Sequence, residues 1–300
     1  MSIRKVAVAG GSGALGNLIV QELVNLGAEV IVLRRKGSLS SRNFSNPVKD
    51  CEVNYESVDE LAKALNGIEI VVCCLAGLKS VIVDTQERLM QAAVKAGVSK
   101  FIPSDFAIDF RTIPYGENRN LNLRREFFER FEYIPIKKTS ILNGAFTDML
   151  TGVAPFILFK FKKILCWGSS NQKMDWTTMA DTARYTAFAT LDRESPRFLK
   201  IAGDQISAED LSEIMFSLTG VPHKIFKPSG LYLFKKLISI TKFFVPGGKE
   251  IYPPWQGMQY MHNMYSGIAK FSQVDNERYP VQFTKAKDIL KKYLQIKKPV

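Results

Sequence analysis

The stretch Lys5-Val-Ala-Val-Ala-Gly-Gly-Ser-Gly-Ala-Leu-Gly16 decides the fold of this chain. Residues 5–9 form a short run rich in Val, which is typical of a buried strand in a parallel sheet. Gly10, Gly13 and Gly16 follow with the spacing G-x-x-G-x-x-G, and apolar residues continue at helical periodicity until Gly27. These are the parts of a dinucleotide site, because glycine lets a pyrophosphate approach the backbone and the first helical N–H groups can donate to it. The alternative is a turn that serves only as a tight connection.

The end of the second predicted strand indicates which dinucleotide binds. Residues 29–33 lead into Arg34 and Arg35, where an NAD site usually carries an acidic residue for the ribose 2′-hydroxyl. Arg can bind phosphate oxygens bidentately, so this pair favours the 2′-phosphate of NADP(H). The alternative is a solvated basic loop, since residues 34–49 include five basic residues and no acidic one. The glycine-loop residues expected to contact the cofactor are Gly10, Ser12, Gly13, Ala14, Leu15 and Gly16.

Strands and helices alternate along the first half of the chain, which predicts a doubly wound parallel sheet of the Rossmann-like α/β class. Residues 1–150 are expected to form an NAD(P)-binding domain that also receives segment 177–202. Residues 151–300 are expected to form mainly a smaller, mixed α+β substrate domain. The further predicted strands are 51–55, 68–75, 100–103, 136–142 and 198–202. The predicted helices are 57–65, with a capping box between Ser57 and Glu60, and 81–96, 119–131, 178–191, 207–218 and 283–294.

The carboxyl ends of parallel strands meet at one sheet edge, where open α/β folds bind ligands. Asp105 follows the fifth predicted strand as a candidate acid or ribose-orienting group, or alternatively as a loop cap. Aromatic and apolar residues in segment 226–265 are expected to supply an apolar substrate pocket, the alternatives being ordinary core or a dimer face. The strand-end residues expected near the cofactor are Ala76, Ser104, Phe106, Asn143 and Phe146.

Composition limits the class of protein. The 300 residues, 46% hydrophobic and 23% charged, fit a folded domain or two. Apolar runs are shorter than the ~18 residues of a membrane span, and the early first strand leaves no room for a signal peptide, so a cytoplasmic protein is expected. Four cysteines and two histidines without a Cys-x-x-Cys pair favour reduced thiols and no metal site. The net charge of +12 is spread along the chain, so DNA or membrane contact is the minor alternative to small anionic ligands.

Several segments together resemble the NmrA-like, isoflavone reductase-like group of atypical short-chain dehydrogenases. The resemblance spans nearly the whole chain, and it implies a bound NADP(H) with Phe106 and Phe146 beside the nicotinamide and Asn143 as a polar contact. The segments that carry it are the glycine loop, the Arg34-Arg35 strand end, and residues 101–106, 123–125, 143–146, 181–183 and 278–280.

One position departs from the family pattern. The plant reductases place a Lys four residues before the paired arginines of the helix after strand five, and this chain has Asn120, which has no proton to give at neutral pH. Tyr115 and Arg119 imitate a Tyr-x-x-x-Lys pair, but Pro114 and Gly116 indicate a loop and favour Tyr115 as a surface residue; water is a further source of the proton.

Two functions follow from these observations. The first is an NADP(H)-dependent oxidoreductase that reduces a small apolar quinone, enone or aryl compound by hydride transfer. The second is an NADP(H)-binding redox sensor without turnover, which acts through a protein partner. A homodimer is compatible with both functions.

Overall fold

A six-stranded parallel sheet lies at the centre of the structure, a computed structural model that describes residues 4–37 and 48–297. The strands lie in the order β3-β2-β1-β4-β5-β6, and every neighbouring pair is parallel. Their bounds are β1 (Lys5–Ala9), β2 (Glu29–Arg35), β3 (Lys49–Val53), β4 (Ile70–Cys73), β5 (Lys100–Ile102) and β6 (Lys137–Lys138). This arrangement confirms the predicted doubly wound, Rossmann-like sheet.

Helices cover both faces of this sheet. Val6 and Val8 of β1 are buried against one helical layer, whereas Ala7 and Ala9 are buried against the other, because successive strand side chains point to opposite faces. The helices in these layers are α1 (Ala14–Asn25), α2 (Val58–Ala64), α3 (Gln86–Lys95), α4 (Arg119–Phe131) and α5 (Met179–Leu191). Helices α1 and α5 pack together on the first face.

Smaller sheets and further helices complete the second half of the chain. Its strands are β7 (Ser140–Leu142), β8 (Ala145–Phe146), β9 (Ile157–Leu158), β10 (Lys163–Leu165), β11 (Met174–Thr177), β12 (Phe198–Lys200), β13 (Asp204–Ile206) and β14 (Lys224–Phe226). They pair as β14-β10-β9, β13-β11-β8 and β12-β7. The helices are α6 (Ala208–Thr219), α7 (Leu231–Phe244), α8 (Pro254–Tyr265) and α9 (Ala286–Lys297). No helix within residues 4–37 and 48–297 has the length and apolar composition to cross a bilayer.

The predicted strand 136–142 is divided at Thr139. Strand β6 pairs with β5, whereas β7 pairs in parallel with β12. The Thr139 N–H donates to Phe101 O at 3.2 Å, and the next N–H, of Ser140, donates to Arg197 O at 2.8 Å. The prediction of one continuous strand was wrong, because apolar periodicity does not show which neighbouring strand accepts each hydrogen bond.

Two helix starts also differ in detail from the predictions. The predicted helix 81–96 begins with a π-helical turn at Ser80–Thr85, in which Thr85 Oγ1 donates to Ser80 O at 2.8 Å. At α2, Ser57 Oγ accepts from the Glu60 N–H at 3.2 Å, but the Ser57 N–H donates to Asn54 O at 3.1 Å, so only half of the capping box predicted between Ser57 and Glu60 forms. A capping box with bonds in both directions is present at the start of α6, between Ser207 and Asp210.

Helix α7 has two apolar faces. Phe234 and Ile238 are buried in the second-half core, where the Phe234 ring stacks on Trp167 with their centroids 3.9 Å apart. A second apolar stripe at helical spacing is exposed and consists of Leu233, Leu237, Ile240 and Phe244. The first part of the predicted pocket-forming segment 226–265 is therefore divided between core and surface.

The passage from β1 into α1 requires glycine at two positions. Gly10 has a φ of +79°, and a Cβ there would lie 2.7 Å from Cys74 O. A Cβ at Gly16 would overlap the carbonyl oxygen of Gly10. At Gly13, Gly10 O is the one heavy atom within 4 Å of the Cβ position among the described residues, at 3.2 Å. Chain packing therefore explains Gly10 and Gly16, whereas a Cβ at Gly13 would make one tight contact, with Gly10 O, which would have to shift by a few tenths of an ångström.

We expect Gly16→Ala to lower the free energy of unfolding by about 2–3 kcal/mol, because the added methyl forces α1 away from β1. The matched variant Gly13→Ala should lower it by only about 1 kcal/mol, since Ala is a poorer helix cap than Gly but its Cβ would lie 3.2 Å from Gly10 O and not overlap it. Urea unfolding of both variants measures the difference. Equal losses would contradict the assignment of close packing to Gly16.

Candidate functional site

The glycine loop leaves an accessible backbone surface at the carboxyl end of β1. Ser12, Gly13 and Ala14 are exposed, Leu15 is half-buried and Gly16 is buried. Gly13 occupies the cap position of α1, so no side chain bonds to the N–H groups of the first helical turn. The missing Cβ at Gly13 and these N–H groups fit the close approach of a pyrophosphate.

The two arginines at the end of β2 have different surroundings. Arg34 Nε donates to Asp50 Oδ2 of β3 at 2.8 Å, and its Nη2 pairs with the Glu52 carboxylate. Arg35, the last residue of β2, is exposed. Residues 38–47 of the predicted basic loop lie outside the described residues.

A cavity of about 680 Å³ opens at the same edge of the sheet. Phe106, which follows β5, and Phe146, at the end of β8, both line it. Helix α8 supplies Met258, Met261 and Met264 to the same wall. The wall is therefore mainly apolar, and the structure brings together the two aromatic residues that the family resemblance places beside the nicotinamide.

The other strand-end residues have several roles. Ala76 is exposed just after β4. Ser104 connects two strand ends, because its Oγ donates to Leu75 O at 2.7 Å and its N–H donates to Gln86 Oε1 at 2.7 Å. Asn143 is fully buried beside the cavity residue Gly144, and its Oδ1 has no hydrogen-bond partner. That orphan oxygen is an acceptor that a bound ligand can satisfy.

Asp105 is buried outside the cavity lining, with 1% of its surface exposed. Its Oδ2 accepts from Ser140 Oγ at 2.6 Å, whereas its Oδ1 has no partner. Burial raises the pKa of this carboxyl above its ordinary value, against the Ser140 hydrogen bond and nearby arginines, which lower it. The carboxyl therefore retains its proton to higher pH than an exposed aspartate does.

Tyr115 and Arg119 lie apart. Tyr115 is 58% exposed, and its ring centroid is 5.6 Å from the guanidinium carbon of Arg125. Arg119 instead donates through Nη2 to Glu250 O at 3.0 Å and to Ile251 O at 2.7 Å. The structure does not bring Tyr115 to the cavity wall or into a pair with Arg119.

Asn120 is buried and joins α4 to the segment before α8. Its Nδ2 donates to Ile251 O at 3.0 Å, and its Oδ1 accepts from Arg119 Nε at 3.1 Å. The next residue after Ile251 is Tyr252, which lines the cavity. At the position where the plant reductases have Lys, this chain therefore has an amide that hydrogen-bonds the backbone next to a cavity residue.

Buried amides hold α4 against α8. Asn118, fully buried, caps α4 by accepting from the Leu121 N–H at 3.2 Å, and its Oδ1 also accepts from Gln256 Nε2 at 2.7 Å. Asn118 Nδ2 donates to Asn263 Oδ1 at 3.0 Å. These bonds fix the relative position of the two helices that supply polar groups to the cavity.

Those polar groups are Arg124 of α4 and Tyr260 of α8, neither of which the sequence marked as a site residue. Arg124 follows Asn120 by four residues and therefore shares its helix face, a spacing that could have identified it. Burial raises the pKa of Tyr260 to about 12, against the opposing effects of Arg124, Arg119 and Asn120. The phenol therefore keeps its proton at neutral pH.

The described residues offer no arrangement for a metal ion. Within 4–37 and 48–297, no group of three or more His, Cys, Asp or Glu side chains is placed to bind one. The four cysteines are unpaired thiols, and burial raises the pKa of Cys73 to about 12. The features that can bind a cofactor or a substrate are thus the glycine loop, the apolar cavity, and the polar end of the cavity that Arg124 and Tyr260 form.

Comparison with solved structures agrees with this architecture. The structure of AtPrR2 with NADP+ and (+)pinoresinol has a TM-score of 0.79 and 22% identity, over 98% of this chain and 99% of that one. A crystal structure of isoflavone reductase has a TM-score of 0.81 and 20% identity, over 97% and 100%. At such identities the likeness establishes a shared fold.

Sequence relatives extend the comparison. Oxidoreductase swnN of Metarhizium robertsii is 28% identical over 257 residues, which cover 73% of this chain and 75% of the relative. A bifunctional pinoresinol-lariciresinol reductase of Linum perenne is 25% identical over 325 aligned positions, covering 96% and 98%. The model of the NmrA-like family matches residues 2–293. With nearly its whole length matched, the chain belongs to the NmrA-like family.

Proposed function

We propose that this protein is an NADP(H)-dependent reductase that transfers a hydride to a small, largely apolar acceptor such as a quinone, an enone or an aryl compound. The observation that carries the proposal is the shared edge of the sheet, where the open glycine loop and the apolar cavity both lie. Structural neighbours support it, since AtPrR2 was solved with NADP+ and a leucoanthocyanidin reductase of Vitis vinifera with NADPH.

When bound, NADPH would supply the hydride and water the accompanying proton, and the chain binds and orients the reactants. In this proposal the backbone around Gly13 and the first turn of α1 bind the pyrophosphate, and the end of β2, with Arg34 and Arg35, binds the 2′-phosphate. Phe106 and Phe146 border the nicotinamide and exclude water from the cavity. The remaining cofactor contacts that we propose are Ser12, Ala76, Ser104 and Asn143.

A second candidate function rests on Asn120. Both heteroatoms of its amide are bonded within the protein, and an amide cannot donate a proton at neutral pH. A protein that binds NADP(H) without turning it over could report the redox state to a protein partner. We rank this regulator second because an apolar cavity of about 680 Å³ at the same edge of the sheet as the glycine loop fits an acceptor.

A screen of quinones and enones with NADPH tests the reductase. We expect oxidation of NADPH above background with at least one acceptor and its loss in Gly13→Val, because the new side chain blocks approach to the loop. Far-UV circular dichroism and thermal unfolding check that the variant is folded, because its Cβ would lie 3.2 Å from Gly10 O. Tight NADPH binding without turnover across a broad panel would contradict the reductase and favour the regulator.

The choice of cofactor is tested by Arg34→Ala/Arg35→Ala. We expect this double variant to weaken NADPH binding by about 10- to 100-fold and to leave NADH binding nearly unchanged, because charge-assisted bonds to the 2′-phosphate are lost. Calorimetric titration with each dinucleotide measures both constants. Arg193→Ala is the control, since Arg193 borders a pocket at the opposite edge of the sheet. Equal weakening of NADPH and NADH would contradict the assignment.

The environment of Asp105 predicts a pH-dependent effect on stability. Its pKa is raised in the folded state, so its favourable contribution is full below its ordinary value of 3.8 and is lost as the pH rises through the raised value. We therefore expect Asp105→Asn to increase the free energy of unfolding, relative to wild type, more at pH 8 than at pH 4. The control Asp59→Asn should show no such gain, because Lys95 lowers the pKa of Asp59. The same change at both pH values would mean that Asp105 is ionised in the folded protein throughout.

A further inference from the structure

We propose that the acceptor is an apolar carboxylic acid, whose carboxylate is bound by Arg124 and Tyr260 at the polar end of the cavity. This inference rests on the proposed reductase and specifies its class of substrate. It concerns ground-state binding, and Arg124 acts in it as a substrate-binding residue.

The first argument is the state of Arg124. Only 8% of its surface is exposed, yet no carboxylate in the described ranges forms an ion pair with it. Its Nη1 donates to the backbone oxygen of Asn120 at 3.1 Å, and its Nε has no partner. Burial raises the pKa of Asp105 and Arg124 lies near enough to lower it, but no ion pair forms between the two side chains, so Asp105 is a poor counter-ion. A buried charge that is so weakly compensated is costly, and a ligand that brings the opposite charge would offset that cost.

The neighbouring arginine shows the contrast. Arg125 donates through Nη2 to Phe110 O at 2.8 Å and to Arg111 O at 2.7 Å. These bonds hold the loop before α4 against the helix. Arg124 holds no such loop, since its Nη1 donates to Asn120 O within its own helix. Of the paired arginines, Arg125 has the structural contacts and Arg124 faces the cavity.

The second argument is the kind of hydrogen-bonding group that faces the cavity. Arg124 can present two parallel N–H donors, and Tyr260 adds a phenol that retains its proton at neutral pH. None of the described residues in the cavity lining is Asp or Glu. The cavity therefore offers hydrogen-bond donors but no acidic side chain to accept from them. A carboxylate ligand has two oxygens that can accept these bonds, and Arg binds carboxylates bidentately.

Charge balance favours a carboxylate over a phosphate. Arg124 is the one basic residue in the described lining, so it neutralises a single negative charge. A phosphate monoester would carry about one further charge at neutral pH. The remaining wall, with Phe106, Phe146 and four methionines, fits an apolar body attached to the carboxylate.

Paired probes of equal shape test the proposal. Cinnamate and its neutral analogue cinnamamide are titrated calorimetrically into the full-length protein, with and without NADP+. We expect cinnamate to bind about 10- to 100-fold more tightly than cinnamamide. Arg124→Met should abolish this preference, and Tyr260→Phe should reduce it about fivefold, which is the share expected of one hydrogen bond. Arg130→Met, at an exposed position of the same helix, should leave it unchanged.

A stability readout separates a ligand-binding role from a structural one. If Arg124 serves a ligand, removing its unpaired charge should leave the thermal midpoint of the ligand-free protein unchanged or raised, as for other buried charges replaced by apolar residues. A lower midpoint for Arg124→Met, together with an unchanged preference for cinnamate, would overturn the proposal. NADPH affinity should be unchanged in Arg124→Met, and a parallel loss would assign Arg124 to the cofactor site instead.

The outcomes distinguish this inference from the proposed function. Equal affinity for both probes, or no cinnamate binding at millimolar concentration, would overturn the carboxylate even if NADPH oxidation with neutral acceptors is observed. Selective cinnamate binding that depends on Arg124 would support the inference even if no acceptor is turned over, and would then describe the ligand of a regulator.

Discussion

The contact between Gly16 and the carbonyl of Gly10 is the constraint on which the rest of the structure depends. It lets α1 start directly against the end of β1, which is possible only because Gly16 carries no side chain. The first-turn N–H groups of α1 then lie at the carboxyl edge of the sheet. Every later βα unit adds its strand end to that same edge, so the place for a ligand is determined within the first sixteen residues.

The acceptor side of the site is built by distant parts of the chain. After β6, the backbone changes partner from β5 to β12, and residues 143–146 then pass beside the cavity. Helix α8 covers the cavity, and it is held to α4 by the buried amides of Asn118, Gln256 and Asn263. These hydrogen bonds hold α4 against α8, and they therefore set the relative positions of Arg124 and Tyr260 at the polar end of the cavity.

The sheet could be predicted from sequence because its signals are local. The glycine spacing, the Val-rich strand and the helical periodicity after Gly13 all lie within one βα unit. The division of β6 from β7 could not be predicted, because the apolar pattern of a strand does not show which strand it pairs with. The polar end of the cavity was missed for a related reason: no local motif marks Tyr260, and more than a hundred residues separate it from Arg124. Asn120 was recognised as a departure from the family pattern, but its bond to Ile251 O required the folded structure.

A crystal structure of the complex with NADP+ would test the central claim most directly. The account predicts the pyrophosphate against the backbone of residues 12–15 and the nicotinamide ring at the cavity between Phe106 and Phe146. It would be contradicted by a dinucleotide bound elsewhere, or by a nicotinamide turned away from that cavity, because no hydride could then reach an acceptor held there.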